Sequence, residues 1–194
     1  MLKIAISGNI ASGKSAVEKY LEEKGYTVFD TDKLSHEILN NSAKEVIDAF
    51  KNQDVTENGT VSRKKLGPIV FRNEQERIKL ENIIYPKLKN KIEEIFEENK
   101  NKKFVFISIP LLFEVGWKNL FDKTIFVYAD DNLRLERLIK RNSLSKEEAL
   151  QRINSQKPQQ DKIKKSDFNI CNNDDIITLQ NKINEIIILL EDME

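Results

Sequence analysis

The chain has 194 residues, 33% of them charged, with 32 basic and 32 acidic side chains and a formal net charge of zero. That length suits one α/β domain of ordinary size carrying an inserted lobe, and the charge balance argues against a nucleic-acid footprint, an acidic tail or attraction to a membrane surface. A single cysteine, Cys171, excludes an intramolecular disulfide and a four-cysteine metal site, and it reads as a small buried hydrophobe in a strand.

The first apolar run, Leu2 to Ile6, is short and bounded by Ser7-Gly8, so it reads as a strand. No charged stretch followed by an apolar leader precedes it, and no apolar run approaches the roughly 20 residues that span a bilayer. A soluble cytoplasmic protein is expected. Gly8 to Ser15, GNIASGKS, then fits GxxxxGK[ST], with helical spacing in Ala16 to Leu21 after it. In that strand, loop, helix order the glycines let backbone N–H groups turn inward around phosphate oxygens. The helix N-terminus adds its positive end, Lys14 reaches the outer phosphates and the Ser15 hydroxyl suits Mg²⁺.

The helix is expected to end at Gly25, and Thr27 to Phe29 forms a second strand running into Asp30-Thr31-Asp32. Carboxylates there lie at the edge where α/β sheets bind ligands, although either one also serves as a cap for a helix over 33–39. From Asn40 to Lys103 the text is mostly helical. Ser42 with Glu45 and Asn73 with Glu76 have capping-box spacing, 57–60 is a turn, and a short helix over 63–71 follows a Ser62 cap. Leu80, Ile83, Ile84, Leu88, Ile92, Ile95 and Phe96 make a helical stripe with a break or kink expected at Tyr85-Pro86. So long a stretch exceeds one crossover helix and is expected to project as a lobe that holds an acceptor.

Phe104 to Ile107 reads as a strand buried on both sides, ending in Ser108 where a typical P-loop enzyme has Asp. Asp32 and the nucleotide are then expected to position Mg²⁺, with waters. Thr124 to Tyr128 is the fourth strand, and a helix starting at 130–132 carries Arg134, Arg137 and Arg141 on one face. A second helix, opened by a Ser145–Glu148 capping box, carries Arg152 and Gln156. The pair reads either as a solvated basic face or as a lid that supplies charge to a transferring phosphoryl group. Phe168 to Cys171 is the last strand, ending at Asn172-Asn173-Asp174-Asp175, a loop placed to meet an adenine. A closing helix over 176–190 puts Ile176, Leu179, Ile183, Ile186, Ile187 and Leu190 on a core-facing side. The sum is a P-loop NTPase fold, a three-layer α/β/α arrangement around a five-stranded parallel sheet. One domain is expected, with its core over 1–32, 103–130 and 160–194, a helical lobe over 33–102 and a lid over 131–159.

Taken together these residues resemble the dephospho-coenzyme A kinases, small P-loop kinases of coenzyme A biosynthesis. The markers are Gly8 to Ser15, Asp30-Thr31-Asp32 where the family typically has Asp-Ala-Asp, Gly59 with Arg63 and Leu66, and Pro110-Leu111-Leu112-Phe113-Glu114. They continue with Arg137 and Arg141, Arg152-Ile153 with Gln156, and Asp167 with Asn172. Ala16 stands where the family commonly has Thr, Tyr85 where it has His before proline, Arg134 where Gln is common and Ser108 where some members have Asp. Asn9 and Ala11 replace loop glycines, which asks those positions to take ordinary backbone angles.

The resemblance implies transfer of the γ-phosphoryl group of ATP to the 3′-hydroxyl of dephospho-coenzyme A, with Mg²⁺. Asp32 would act as base, with Lys14, Arg137 and Arg141 stabilising the transferring charge. ATP would lie on Gly8, Asn9, Ile10, Ala11, Ser12, Gly13, Lys14, Ser15 and Ala16, with Arg137, Arg141 and Asn172. The acceptor would meet Asp30, Asp32, Arg63, Tyr85, Leu111, Glu114 and Arg152, and Ser15 would hold the metal, with Asp32 through water. His36 reads as a plain helix residue. A monomer or weak homo-oligomer is expected, with a small-molecule substrate and neither nucleic acid nor membrane as partner. Rival readings are a kinase of nucleoside monophosphates, shikimate or gluconate, and an ATP-binding scaffold without transfer.

Overall fold

Alternation of side chains along β1 (Leu2–Gly8) sends Ile4 and Ile6 to one face of a sheet, and both are fully buried. Phe104 and Phe106 of β5 (Phe104–Ser108), Ile125 and Val127 of β6 (Lys123–Tyr128) and Ile170 of β7 (Phe168–Cys171) join them in one core cluster. α1 (Lys14–Glu23) and α9 (Ile176–Glu191) close that face through Val17, Tyr20, Leu21, Leu179, Ile183 and Leu190. On the other face Phe126 meets the Phe113 ring edge-on at 6.0 Å, and α8 (Gln159–Ile163) places Lys162 Nζ 6.0 Å from the Phe126 ring centre. Helices therefore cover both faces, as a parallel sheet requires.

The structure is a computed structural model that describes residues 1–193. Strand order is β2-β5-β1-β6-β7, with β2 spanning Val28–Asp30. β1 runs parallel to β5 on one side, with Ile6 opposite Ser108, and to β6 on the other, with Gly8 opposite Val127. The chain leaves β1 towards the β2 edge and later returns to its opposite side. The carboxyl end of β1 is thus a topological switch point, where sheets of this kind bind ligands. The expected five-stranded α/β architecture is the one found.

The chain forms two compact units, Met1–Phe29 with Lys100–Glu194, and Asp30–Asn99. The first holds the sheet, α6 (Asp131–Asn142) and α7 (Lys146–Asn154). The second contains α2 (Thr31–Asn41), α3 (Ala43–Ala49), a hairpin of β3 (Thr56–Glu57) and β4 (Thr60–Val61), α4 (Arg63–Arg72) and α5 (Glu74–Glu98). Leu39, Val46, Phe50, Val55, Val61, Leu66 and Ile84 form its core. Asn58 and Gly59, with φ of 50° and 77°, make the tight turn of that hairpin. Among the described residues no helix is long and apolar enough to cross a membrane.

Several local expectations are corrected. α5 runs unbroken for 25 residues through Pro86, because Ile84, Leu88, Ile92 and Ile95 on both sides of the proline are buried on one stripe and outweigh its lost hydrogen bond. The Ser42 capping box does not form, since the Ser42 hydroxyl accepts from Lys87 Nζ at 2.7 Å. Ser62 precedes α4 without capping it, its hydroxyl donating to Glu57 at 2.9 Å instead. Asn73 does cap α5 through Gln75 N, and the Ser145–Glu148 box is complete. Cys171 is only partly buried. Ile176 is 55% exposed, so the core face of α9 begins at Leu179.

Candidate active site

The loop after β1 is built around two glycines. A Cβ on Gly8 would lie 2.6 Å from Ser12 Oγ and 2.8 Å from the Val127 carbonyl oxygen, so no other residue fits. Gly13, the N-cap of α1, has φ 92°, and a Cβ there would fall 1.9 Å from Asn172 Nδ2. Ala11 corrects an expectation, for its φ of 61° is left-handed rather than ordinary. The surrounding loop holds it in a conformation that an L residue adopts at a cost of about 1–2 kcal/mol. α1 starts with no side-chain cap and no acidic residue in its first turn, which leaves N–H groups and the positive helix end facing outward for an anion.

Lys14 opens α1 and Ser15, exposed, follows it. One turn on, Glu18 Oε1 lies 2.5 Å from Lys14 Nζ and accepts a hydrogen bond from Ser108 Oγ at 2.5 Å. Lys14 Nζ also donates to Ser108 Oγ. The missing strand-end acid therefore has a carboxylate beside it, contributed by the helix. Sequence reasoning passed over Glu18, although its spacing of four from the loop lysine was a usable signal.

The region over 131–159 grips the loop from outside. The Ile10 N–H donates to Gln156 Oε1 at 2.7 Å, and Arg134 Nε donates to the Ile10 carbonyl at 3.0 Å. Gln156 stands beyond the end of α7 rather than on it. Arg134 lies on the α6 face predicted for it but is 2% exposed, with Nη1 donating to Asp131 at 2.7 Å. It braces the loop from α6, and burial lowers its pKa against the support of Asp131. Arg134 Nη2 and Arg137 Nη1 are both buried with no hydrogen-bond partner, and Arg137 Nη1 lies 3.9 Å from the point where a Gly13 Cβ would stand. An unpartnered guanidinium nitrogen beside the loop is a donor held ready for an anion. Arg141 is exposed and donates to Asn142 Oδ1 at 2.9 Å, and Arg152 is exposed on α7.

One loop side chain, Asn9, faces the protein. Asn9 donates from Nδ2 to the Lys157 carbonyl at 3.0 Å and accepts from Lys162 Nζ at 2.7 Å. Lys162, 1% exposed, is paired at 2.5 Å with Glu114 Oε1 in ion-pair rather than aligned hydrogen-bond geometry. Burial lowers the Lys162 pKa, with Glu114 opposing the shift. Nothing in the sequence marked Lys162 as a partner of the loop. Asn172 Nδ2 donates to the Ser12 carbonyl at 2.8 Å, so this amide supports the loop. Within Pro110 to Glu114, Leu112 is fully buried while Leu111 is 40% exposed.

In the second unit Asp30 Oδ1 accepts from the Asp32 N–H at 2.8 Å, so Asp30 is the N-cap of α2, and Asp32 is exposed in its first turn. Arg63 is exposed at the start of α4. The Tyr85 hydroxyl donates to Glu81 Oε1 at 3.1 Å, and burial, followed by the Glu81 charge, raises its pKa.

A glycine-lined loop between the central strand of a parallel sheet and a bare helix N-terminus, with lysine and arginine donors converging on it, defines a P-loop kinase. The chain matches the dephospho-CoA kinase family over residues 2–178 and belongs to that family. A dephospho-CoA kinase of Fusobacterium nucleatum subsp. nucleatum is 40% identical over 182 residues, 93% of this chain and 94% of the relative. Among solved structures, dephospho-CoA kinase from Campylobacter jejuni superposes with a TM-score of 0.74 at 32% identity, covering 99% of this chain and 98% of that one. Shikimate kinase from Acinetobacter baumannii, at 16% identity and a TM-score of 0.56 over 100% and 95% of the two chains, shares the fold alone.

Proposed function

We propose that the chain transfers the γ-phosphoryl group of ATP to the 3′-hydroxyl of dephospho-coenzyme A, yielding coenzyme A and ADP. The reading is carried by the loop at the head of α1, whose lysine and unpartnered Arg137 Nη1 suit a polyphosphate, together with the family to which the chain belongs. Lys14 and Arg137 stabilise charge on the transferring group, with Arg141 joining them from α6, and Asp32 accepts or orients the proton of the attacking hydroxyl. Asp30 holds Asp32 in register by capping its helix. Arg63, Tyr85, Leu111, Glu114 and Arg152 serve the acceptor side.

Mg²⁺ would be held by Ser15. Among the described residues no group of three or more His, Cys, Asp or Glu side chains is arranged for a metal. That suits an ion which takes most of its ligands from phosphate and water, and the hard oxygens of Ser15, Ser108 and Glu18 fit it. When bound, the ion neutralises charge on the β- and γ-phosphates. A cytoplasmic location and a monomer or weak homo-oligomer are part of the same proposal.

ADP release measured with dephospho-coenzyme A, nucleoside monophosphates, shikimate and gluconate tests the reading. Turnover is expected with the first alone, and robust turnover with only one of the others overturns it.

A further inference from the structure

P-loop enzymes hold Mg²⁺ between the loop hydroxyl and a carboxylate at the end of a neighbouring strand. Here β5 is that neighbour, and its last residue, opposite Ile6, is the uncharged Ser108. The carboxylate of Glu18 reaches the Ser108 hydroxyl at 2.5 Å from the helix side, with its side chain 14% exposed. Two observations ask what this charge does. A carboxylate largely withdrawn from water beside a phosphate loop repels the phosphates unless a cation lies between them. Lys14 now neutralises it at 2.5 Å, but the loop lysine goes to the outer phosphates once a nucleotide binds.

We propose that Glu18 replaces the missing strand-end acid. When Lys14 turns to the phosphates, Glu18 keeps its hydrogen bond from Ser108 Oγ and receives one from water on the Mg²⁺ held by Ser15. It is a positioning residue for the metal, contributed one helical turn after the lysine rather than from the adjacent strand. Ser108 is the fulcrum, since its hydroxyl holds the Glu18 carboxylate independently of Lys14. This inference rests on the reading of the loop as a Mg²⁺–ATP site.

The test is a Mn²⁺ titration followed by electron paramagnetic resonance, on the whole chain saturated with the β,γ-imido analogue of ATP. Glu18→Gln is expected to weaken Mn²⁺ binding about tenfold, the lower end for loss of an outer-shell partner. Its affinity for the analogue in EDTA should be equal or higher, because Lys14 is released. Ser108→Asp added to Glu18→Gln should return Mn²⁺ affinity to near wild type by restoring the acid on the strand, a rescue that a purely structural role for Glu18 does not produce. Ser108→Ala alone should weaken Mn²⁺ binding in the same direction and serves as the second variant. Unchanged Mn²⁺ affinity in Glu18→Gln, with tighter analogue binding in EDTA, makes Glu18 a resting partner of Lys14 only and overturns the inference while leaving the ATP site standing. Failure of the wild-type chain to bind the analogue overturns both.

Discussion

Gln156 accepts a hydrogen bond at 2.7 Å from the backbone N–H of Ile10, a residue 146 positions away in the phosphate loop. With Arg134 Nε on the carbonyl of the same residue at 3.0 Å, both polar atoms of Ile10 are held by side chains from the region over 131–159. Gln156→Ala leaves a partly buried N–H without its partner, a loss of about 1–3 kcal/mol. The melting temperature should fall by several degrees and the affinity for an ATP analogue should drop with it, whereas Gln156→Glu keeps the acceptor and should lose less stability while its negative charge still weakens analogue binding. Calorimetry and analogue titration measure the two effects, and wild-type values for Gln156→Ala would show the contact to be idle.

Ala11 sits at φ 61°. Glycine relieves a left-handed penalty of about 1–2 kcal/mol while gaining about 0.4–1 kcal/mol of unfolded-state freedom. Ala11→Gly should therefore raise stability slightly, by roughly 0.5–1 kcal/mol, seen as a rise of about 2 °C in Tm. A fall in Tm would mean that the methyl group contributes packing that exceeds its backbone strain.

The buried Lys162 is charged against its environment, and Glu114, 2.5 Å away, offsets part of that. Both Glu114 carboxylate oxygens are buried, and removing one partner of a buried pair costs about 3–5 kcal/mol. The pH dependence has a definite sign. The folded-state pKa of Lys162 is lowered, so between that value and its unfolded pKa the unfolded chain binds more protons and stability rises with pH. Glu114→Gln removes the opposing charge and widens that window downward. Denaturant melts should show the deficit of Glu114→Gln largest near neutral pH and shrinking as pH rises towards about 10, near the ordinary lysine value. A deficit independent of pH would place the loss in packing instead.

Asp32 carries the proposed proton transfer. Asp32→Asn should lower turnover about 10²–10⁴-fold with both substrates saturating and leave analogue binding near wild type. Asp30→Asn should fold normally, since Asn caps a helix as well as Asp. Turnover of Asp32→Asn near the wild-type rate would remove Asp32 from that role.

Most of the fold was legible because its signals are local. The short apolar runs of β1 and β5, buried on both faces of the sheet, the glycine–lysine loop at a strand-to-helix junction and the Ser145–Glu148 box each occupy a few adjacent residues. Signals failed where a distant side chain competed for the same group. Ser42 and Ser62 have the residue type and spacing of caps, but Lys87 and Glu57 take their hydroxyls. Pro86 carries a break signal that buried Ile84 and Leu88 override. Arg134 shares a helix face with Arg137 and Arg141 yet is buried, because helical spacing states which residues share a face and not whether that face meets solvent.

The sequence by itself determined the glycine turn at Gly8 to Ser15 and the helix N-terminus it feeds, since that turn needs only contiguous residues to form its donors. Tertiary structure alone decided how that loop is supported and where its negative charge comes from. Gln156 and Lys162 reach Ile10 and Asn9 across 146 and 153 residues, and Glu18 meets Ser108 across 90. Such pairs are set by which backbone segments the sheet order brings side by side, and a polar side chain takes the partner that burial leaves within its reach.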